Sequence, residues 1–261
     1  MAEETEIEVP AWKRWFEDIG EQVAFFLRFI RNIFIGGFEW SEFVRLCYEI
    51  GYRSLMLVGI TSFIMGVVLI LQLRPTLVQF GAASMLPTTL SVSFVREIGP
   101  VIIAIICAGK IASSIGAELG SMNVTEQLDA MEVSGANAVQ YLVVTRIAAT
   151  TLMVPLLSVL GDLIGLVGGY LALNIRDSMS FSLYFTKVIA ALNFTDFIPA
   201  FVKTIFFGFA IGFVGCYKGF HSTKGTESVG IAANSAVVTA CLWIFVIDAV
   251  AVQITSVLFY K

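Results

Sequence analysis

The sequence predicts an all-α integral membrane fold: five transmembrane helices preceded by an amphipathic interfacial helix, with a short polar helix between spans 2 and 3. Three observations carry this expectation. The 261 residues are 57% hydrophobic and only 14% charged, with a mean hydropathy of +0.87, whereas a soluble domain carries about a quarter charged residues. Long apolar runs recur, the clearest being "LMLVGITSFIMGVVLILQL" at 55–73, nineteen residues without a charge. That is close to the roughly 20 residues a helix needs to cross the hydrocarbon core. Between two such runs lies the polar stretch "GSMNVTEQLDAMEVSG", 120–135, with three carboxylates and helix-capping residues at both ends.

Residues 1–11 open with the acidic "MAEETEIEVP" and are expected to be a disordered tail. An acidic start in place of a basic n-region argues against a signal peptide. Residues 12–53 read as amphipathic interfacial helices. Within 12–35, Phe16, Ile19, Val23, Phe26, Ile30 and Phe34 recur at helical spacing, with Glu17, Asp18, Glu21, Arg28, Arg31 and Asn32 mostly opposite. That density of charge excludes a spanning segment and suits a helix lying in the interface. Residues 38–50 repeat the pattern more weakly, with Trp40, Phe43, Val44 and Cys47 on one side.

Residues 54–261 form the five-span domain. The first span, about 55–73, is expected to end at Arg74-Pro75. The second, about 87–118, is interrupted by Arg96-Glu97 and by Gly99-Pro100, where the missing proline donor marks a break or hinge. The third, about 139–175, contains Asp162. A polar connection, 176–196, leads to the fourth, about 197–217, with Lys203 inside it. The fifth, about 229–259, contains Asp248. Five spans place the termini on opposite sides. With the N-terminus in the cytoplasm, ten Lys and Arg fall near the inner span ends and four near the outer ones. That bias predicts a cytoplasmic N-terminus and an outside C-terminus. It also puts 120–135 in the cytoplasm.

In that stretch Asn123 can cap a helix whose third residue is Glu126, and Gly135 can close it in a left-handed turn. Val124, Leu128 and Met131 share one face; Glu126, Asp129 and Glu132 run along the other. Ten residues make a marginal helix by themselves, so it must dock on something. Three acids and no base would meet anionic headgroups unfavourably, so the acidic face suits a cytoplasmic protein partner.

The remaining composition chiefly excludes. A net charge of −4 and the absence of basic tracts argue against nucleic acid as a partner. Four scattered cysteines and one histidine make neither a redox pair nor a metal site. No catalytic motif is present, and "AGKIASS" at 108–114 lacks the glycine and hydroxyl positions of a phosphate loop. Gly161, Gly165 and Gly169, with Gly208/Gly212 and Gly215/Gly219, form small-residue stripes that pack helices either within one subunit or between two. Ionisable groups at membrane depth cost on the order of 2.5–3.5 kcal/mol each, so they face partners or a wet cavity. Arg96, Glu97, Lys203 and Asp248 are the deepest, with Asp162 a fifth. They are expected to pair with one another, to line a path for a charged or zwitterionic substrate, or both.

The run "REIGPVIIAIICAGKIASSIGAELGSMNVTEQLDAMEVSG", 96–135, resembles the central motif of the MlaE permease family, membrane subunits of ABC-type phospholipid transporters. The RE-x-GP start, the AG[KR] and AE-x-G steps and the M-x-x-TEQL-x-AM-E helix keep their order and spacing. The likeness extends over about 20–260, including "KTIFFGFAIG" and "GCYKG" near 203–219. It implies a multi-pass protein of the bacterial inner membrane, a homodimer bound to two copies of an ATPase subunit. An MCE-domain hexamer on the outer side and, in some systems, a STAS-domain protein complete the expected partners. ATP and Mg belong to the ATPase, and this chain binds no cofactor. The stretch 123–133 looks like the family's coupling helix, which carries Asn123, Thr125, Glu126, Gln127, Leu128, Asp129, Met131 and Glu132 into the ATPase. The family's polar cavity positions match Arg96, Glu97, Lys203 and Asp248, with Gly99 and Pro100 as a hinge. The rival expectation is an ion-coupled secondary carrier or channel acting through Glu97, Asp162 and Asp248. Such folds often divide into inverted halves, and five spans without an internal repeat do not. A lipid-modifying membrane enzyme would need a nucleophile, a metal or an acid–base cluster, and none is present.

Overall fold

The computed structural model describes residues 11–34, 37–175, 178–223 and 225–259; nearly all of the expected acidic tail lies outside them. Among the described residues the regular structure is all helical: α1 (Ala11–Phe34), α2 (Trp40–Gln79), α3 (Ala83–Val124), α4 (Gln127–Val133), α5 (Val139–Asn174), α6 (Phe181–Ala191), α7 (Phe194–Phe220) and α8 (Thr226–Phe259). Helices α2, α3, α5, α7 and α8 are long and apolar enough to cross a membrane, matching the five expected spans.

Several boundaries differ from expectation. The weakly amphipathic 38–50 segment is not a separate interfacial helix but the first turns of α2, which runs unbroken for 40 residues. A helix already nucleated by its spanning half extends at little cost, one hydrogen bond per added residue. Arg74-Pro75 does not end α2 either. Proline forfeits one ladder bond but leaves the turns after it free to continue, and the helix closes at Gln79 before Gly81, whose φ is +69°. The polar connection is likewise not all loop. It contains α6, started by Ser180, whose Oγ accepts from the Leu183 amide. Buried Tyr184 anchors α6 by donating to the Leu166 carbonyl at 3.0 Å, and burial pushes its phenol pKa up.

The spans pack through close backbone approach. Helix α2 lies along α5, while α7 packs on α5, on α8 and on the inner half of α3. Gly66 meets the backbone of Gly165, and Gly168 meets the Phe63 carbonyl, with no room for a Cβ on either glycine. Gly208 and Gly212 abut Thr150; Gly215 and Gly219 abut Ala112, Ile115 and Leu119 of α3. The glycine stripes are therefore used within this chain, which resolves the alternative left open by their spacing. Two apolar cores result. The larger runs through α2, α3, α5, α7 and α8 and takes in Leu128 of α4. The smaller joins Ile70, Leu86, Leu90, Leu166 and Val188 with Tyr184 at the far end.

Helix α1 lies against α7. Phe25 and Phe29 are buried, and the Phe25 ring sits 5.7 Å from both Phe213 and Tyr217 and 5.9 Å from Phe220. Val23, Leu27 and Ile33 remain exposed, as Phe26 and Ile30 do at the margin. The expected stripe therefore turns partly outward: the buried docking residues are Phe25 and Phe29, which the stripe left out, and Phe26 of the stripe joins them with its ring 5.9 Å from Phe213. The side chains of Phe16, Ile19 and Phe34 lie outside the described residues.

Candidate functional site

The four intramembrane charges singled out by their cost converge. Lys203, 4% exposed, comes from the middle of α7 and donates to Glu97 Oε2 at 2.6 Å and to Asp248 Oδ1 at 2.9 Å. Arg96 Nε lies 3.7 Å from Glu97 Oε1, and its other guanidinium arm lies 3.8 Å from Asp196 Oδ1. Each charge thus has an opposite neighbour, the condition under which ionised groups persist at membrane depth. Two cations face three carboxylates, so the cluster carries a local excess of one negative charge.

Asp196 was not among the expected members. It sits in the first turn of α7, where its carboxylate also accepts from the Asn193 amide at 3.4 Å as part of a capping box. Its position in a polar connection concealed that it faces the bundle, although Asn-x-x-Asp before an apolar run is itself a cap signal. Asp162 lies next to this group, buried, its Oδ1 lacking a hydrogen-bond partner among the described residues and pressed against Gly99.

The local backbone explains how consecutive residues Arg96 and Glu97 both reach the cluster. Residues Phe94–Ile98 form a π-helical turn within α3, which is wider than an α turn. It also corrects the expected break: α3 continues through Gly99-Pro100 with helical dihedrals. Proline at position 100 would clash with the carbonyl of residue 96 in a regular helix, and the widened turn opens where that clash would fall. Ala251, Val252 and Thr255 of α8 close the cleft over Arg96, Glu97 and Lys203, leaving about 10 Å³. One chain therefore offers no lipid-sized cavity here, but the Glu97 side chain is 37% exposed and opens the cluster outward.

The polar stretch forms a separate site at the other end of α3. The expected helix over 123–133 is shorter, Gln127–Val133, and the Asn123–Glu126 capping box does not form. Helix α3 continues through Val124, so Asn123 is still helical; its amide donates instead to the Ser222 carbonyl at 2.8 Å. Glu126 takes up the reversal with φ +58°, and Thr125 donates back to the Ser121 carbonyl at 2.8 Å. Leu128 is buried and Met131 half-buried, while Gln127, Glu126, Asp129 and Glu132 are exposed, as the two-faced pattern predicts. Gly135 adopts φ +82°, and the Ala136 amide returns to the Met131 carbonyl at 3.0 Å. That closes α4 in the expected left-handed turn.

The family model described as Permease MlaE matches residues 43–254, which contain both sites. A probable ABC transporter permease protein of Rickettsia bellii is 36% identical over 233 residues, 89% of this chain and 90% of its own length. One from Rickettsia typhi is 37% identical over 206 residues, 79% of this chain and 80% of its own. Another, from Synechocystis, is 31% identical over 234 residues, 89% of this chain and 88% of its own.

Proposed function

This chain belongs to the MlaE permease family, and from that premise we propose that it is the non-catalytic membrane subunit of an ABC transporter for phospholipid. It moves lipid between the inner membrane and an MCE-domain partner on the outer side. Two copies of a separate ATPase, with ATP and Mg, act on a homodimer of this chain from the cytoplasm.

The observation that carries this reading is the build of α4. Seven residues are too few for a helix to persist unaided, yet α4 is pinned by Leu128, closed by Gly135, and turns Asp129 and Glu132 outward. A carrier working without an ATPase has no use for such a handle. Helix α3 leads without a break from this handle to Glu97, 27 residues back, or about 40 Å of continuous helix. The Asn123–Ser222 bond ties the same end to the α7–α8 connection, so a push on α4 moves the helices bearing Arg96, Glu97, Lys203 and Asp248 together. The widened turn with Gly99 and Pro100 is where α3 flexes. Arg96 and Lys203 receive the phosphate of a lipid headgroup and Glu97 its amine, in a cavity that a second copy completes. The excess carboxylate suits a zwitterionic head.

Coexpression with the ATPase tests this. Glu126→Lys with Asp129→Lys should abolish copurification of the ATPase while the permease stays monodisperse. An intact complex would reject the handle. Ion-driven transport by the purified chain without any ATPase would favour the rival carrier.

A further inference from the structure

A second polar cleft, distinct from the Arg96–Lys203 cluster, lies between α2, α3 and α5 towards the α4 end. Its volume is about 120 Å³, enough for a tetrahedral anion with its waters, and Arg53, Lys110 and Arg146 contribute cations to its wall. Two of the three are already paired: Arg53 with Glu49, and Arg146 with Glu118 at 2.7 Å. Lys110 has no carboxylate within ion-pairing distance among the described residues. The cleft therefore carries one cation more than its acids neutralise. Its buried wall also has donors to spare. Arg146 is 1% exposed, and its Nε, like the Ser54 Oγ, lacks a hydrogen-bond partner among the described residues.

The backbone is distorted on both sides of this cleft. Lys110 is the central residue of a second π turn in α3, Ala108–Ala112, and Arg146 follows a third, Val139–Val144, by two residues. Such turns are rare and concentrate at functional sites; the remaining one among the described residues holds Arg96 and Glu97. The level in the membrane is set by α2. Arg53 and Arg74 are 21 residues apart with no charge between them, about 31 Å along a helix, which is the thickness of the hydrocarbon core. Arg53 thus stands at a headgroup boundary. Beside it, exposed Tyr48 and Tyr52 stack with centroids 5.4 Å apart, as tyrosines do at that depth.

We infer that this cleft binds the phosphate of an anionic phospholipid from the leaflet on the α4 side, with Lys110 as the principal ligand and Arg53 as the second. Arg146 is a positioning residue, held between Glu118 and the Leu142 carbonyl. The lipid at this site is bound beside the inner half of α3, where it would bias the helix that joins α4 to the transport cluster.

Native mass spectrometry of the purified, delipidated chain in neutral detergent tests this, with dioleoylphosphatidylglycerol, dioleoylglycerol and inorganic phosphate as probes. Neither ATPase nor ATP is present, so the result is independent of whether the chain drives transport. Phosphatidylglycerol should be retained by the native chain, and Lys110→Gln should weaken retention roughly ten- to a hundredfold, the loss of one charge-assisted hydrogen bond. Lys110→Arg should restore it, and Arg53→Gln, on an exposed arm that folding does not need, should weaken it as well. Dioleoylglycerol should not be retained. Equal phosphatidylglycerol retention by the native chain and both glutamine variants would overturn the site, as would equal retention of dioleoylglycerol. Lys110-dependent binding of inorganic phosphate without binding of the lipid would overturn the headgroup assignment.

Discussion

Lys203 holds the intramembrane charge cluster together. It is the most buried of the four charges, and it holds Glu97 and Asp248 from two other helices. Removing it leaves two carboxylates facing each other without their shared cation, and breaking a buried pair in this way is more damaging than the pair is stabilising. Lys203→Met is therefore expected to lower stability by about 3 kcal/mol, read as a fall in the thermal midpoint of the detergent-solubilised protein. Adding Glu97→Gln and Asp248→Asn to Lys203→Met should recover much of the loss, because no unpaired charge then remains. At this scale the sequence was informative for a simple reason. A charge inside a twenty-residue apolar run is expensive wherever the run lies, so Arg96, Glu97, Lys203 and Asp248 identify themselves. Asp196, Glu118 and Arg146 did not, because they lie near span ends where a charge costs little. Their pairing across α3, α5 and α7 is a matter of tertiary geometry.

Among the elements, the glycine contacts distinguish helices that must touch from those that merely neighbour. Gly66 and Gly165 bring the backbones of α2 and α5 together, whereas Gly230 on α8 has open space around its missing Cβ. Gly66→Val should therefore separate α2 from α5 and cost about 2 kcal/mol. Gly230→Ala should be neutral or slightly stabilising, since alanine is the better helix former. Thermal unfolding of both variants in the same detergent checks the contrast, and equal effects would remove the α2–α5 contact as the cause. The elements also show where helical period misleads. The stripe Val23, Phe26, Ile30 on α1 is real, but the buried contact is made by Phe25 and Phe29 beside it, with Phe26 at its edge, so this helix is apolar over a wider arc than one stripe. In α3 the two expected interruptions, Arg96-Glu97 and Gly99-Pro100, do not break the helix, which widens over Phe94–Ile98, carries on through Gly99-Pro100 and widens again around Lys110.

For the molecule as a whole, exposure is uneven. The most apolar windows of α3, α5 and α7 are 50–56% buried, against 28% for α2 and 17% for α8. The cleft over Glu97 opens beside Val252 of the least covered helix, and a half-open charged cluster facing hydrocarbon would be costly. In the homodimer proposed above, a second copy covering that face would remove the cost and supply the lipid-sized space that one chain lacks. After replacing the half-buried Cys47 and Cys241 with serine, Val252→Cys should form an intersubunit disulfide on mild oxidation. Val250→Cys, about half a turn away, should not. Monomer in both would place the dimer contact elsewhere.

The sequence by itself determined the class of fold, the number of spans, the charges that need partners, the two faces of the short helix and the family. Each of these follows from one-dimensional quantities: run length, spacing, the cost of a charge in hydrocarbon, and the order of motif residues. Only the tertiary structure decided which charges meet, that the glycine stripes join helices of one chain, that α2 is continuous from Trp40, and that Asn123 bonds across to Ser222 instead of capping α4. Those outcomes depend on how helices distant in the chain share a face, and on π turns whose extra residue shifts every side chain beyond it. Neither is written in local periodicity.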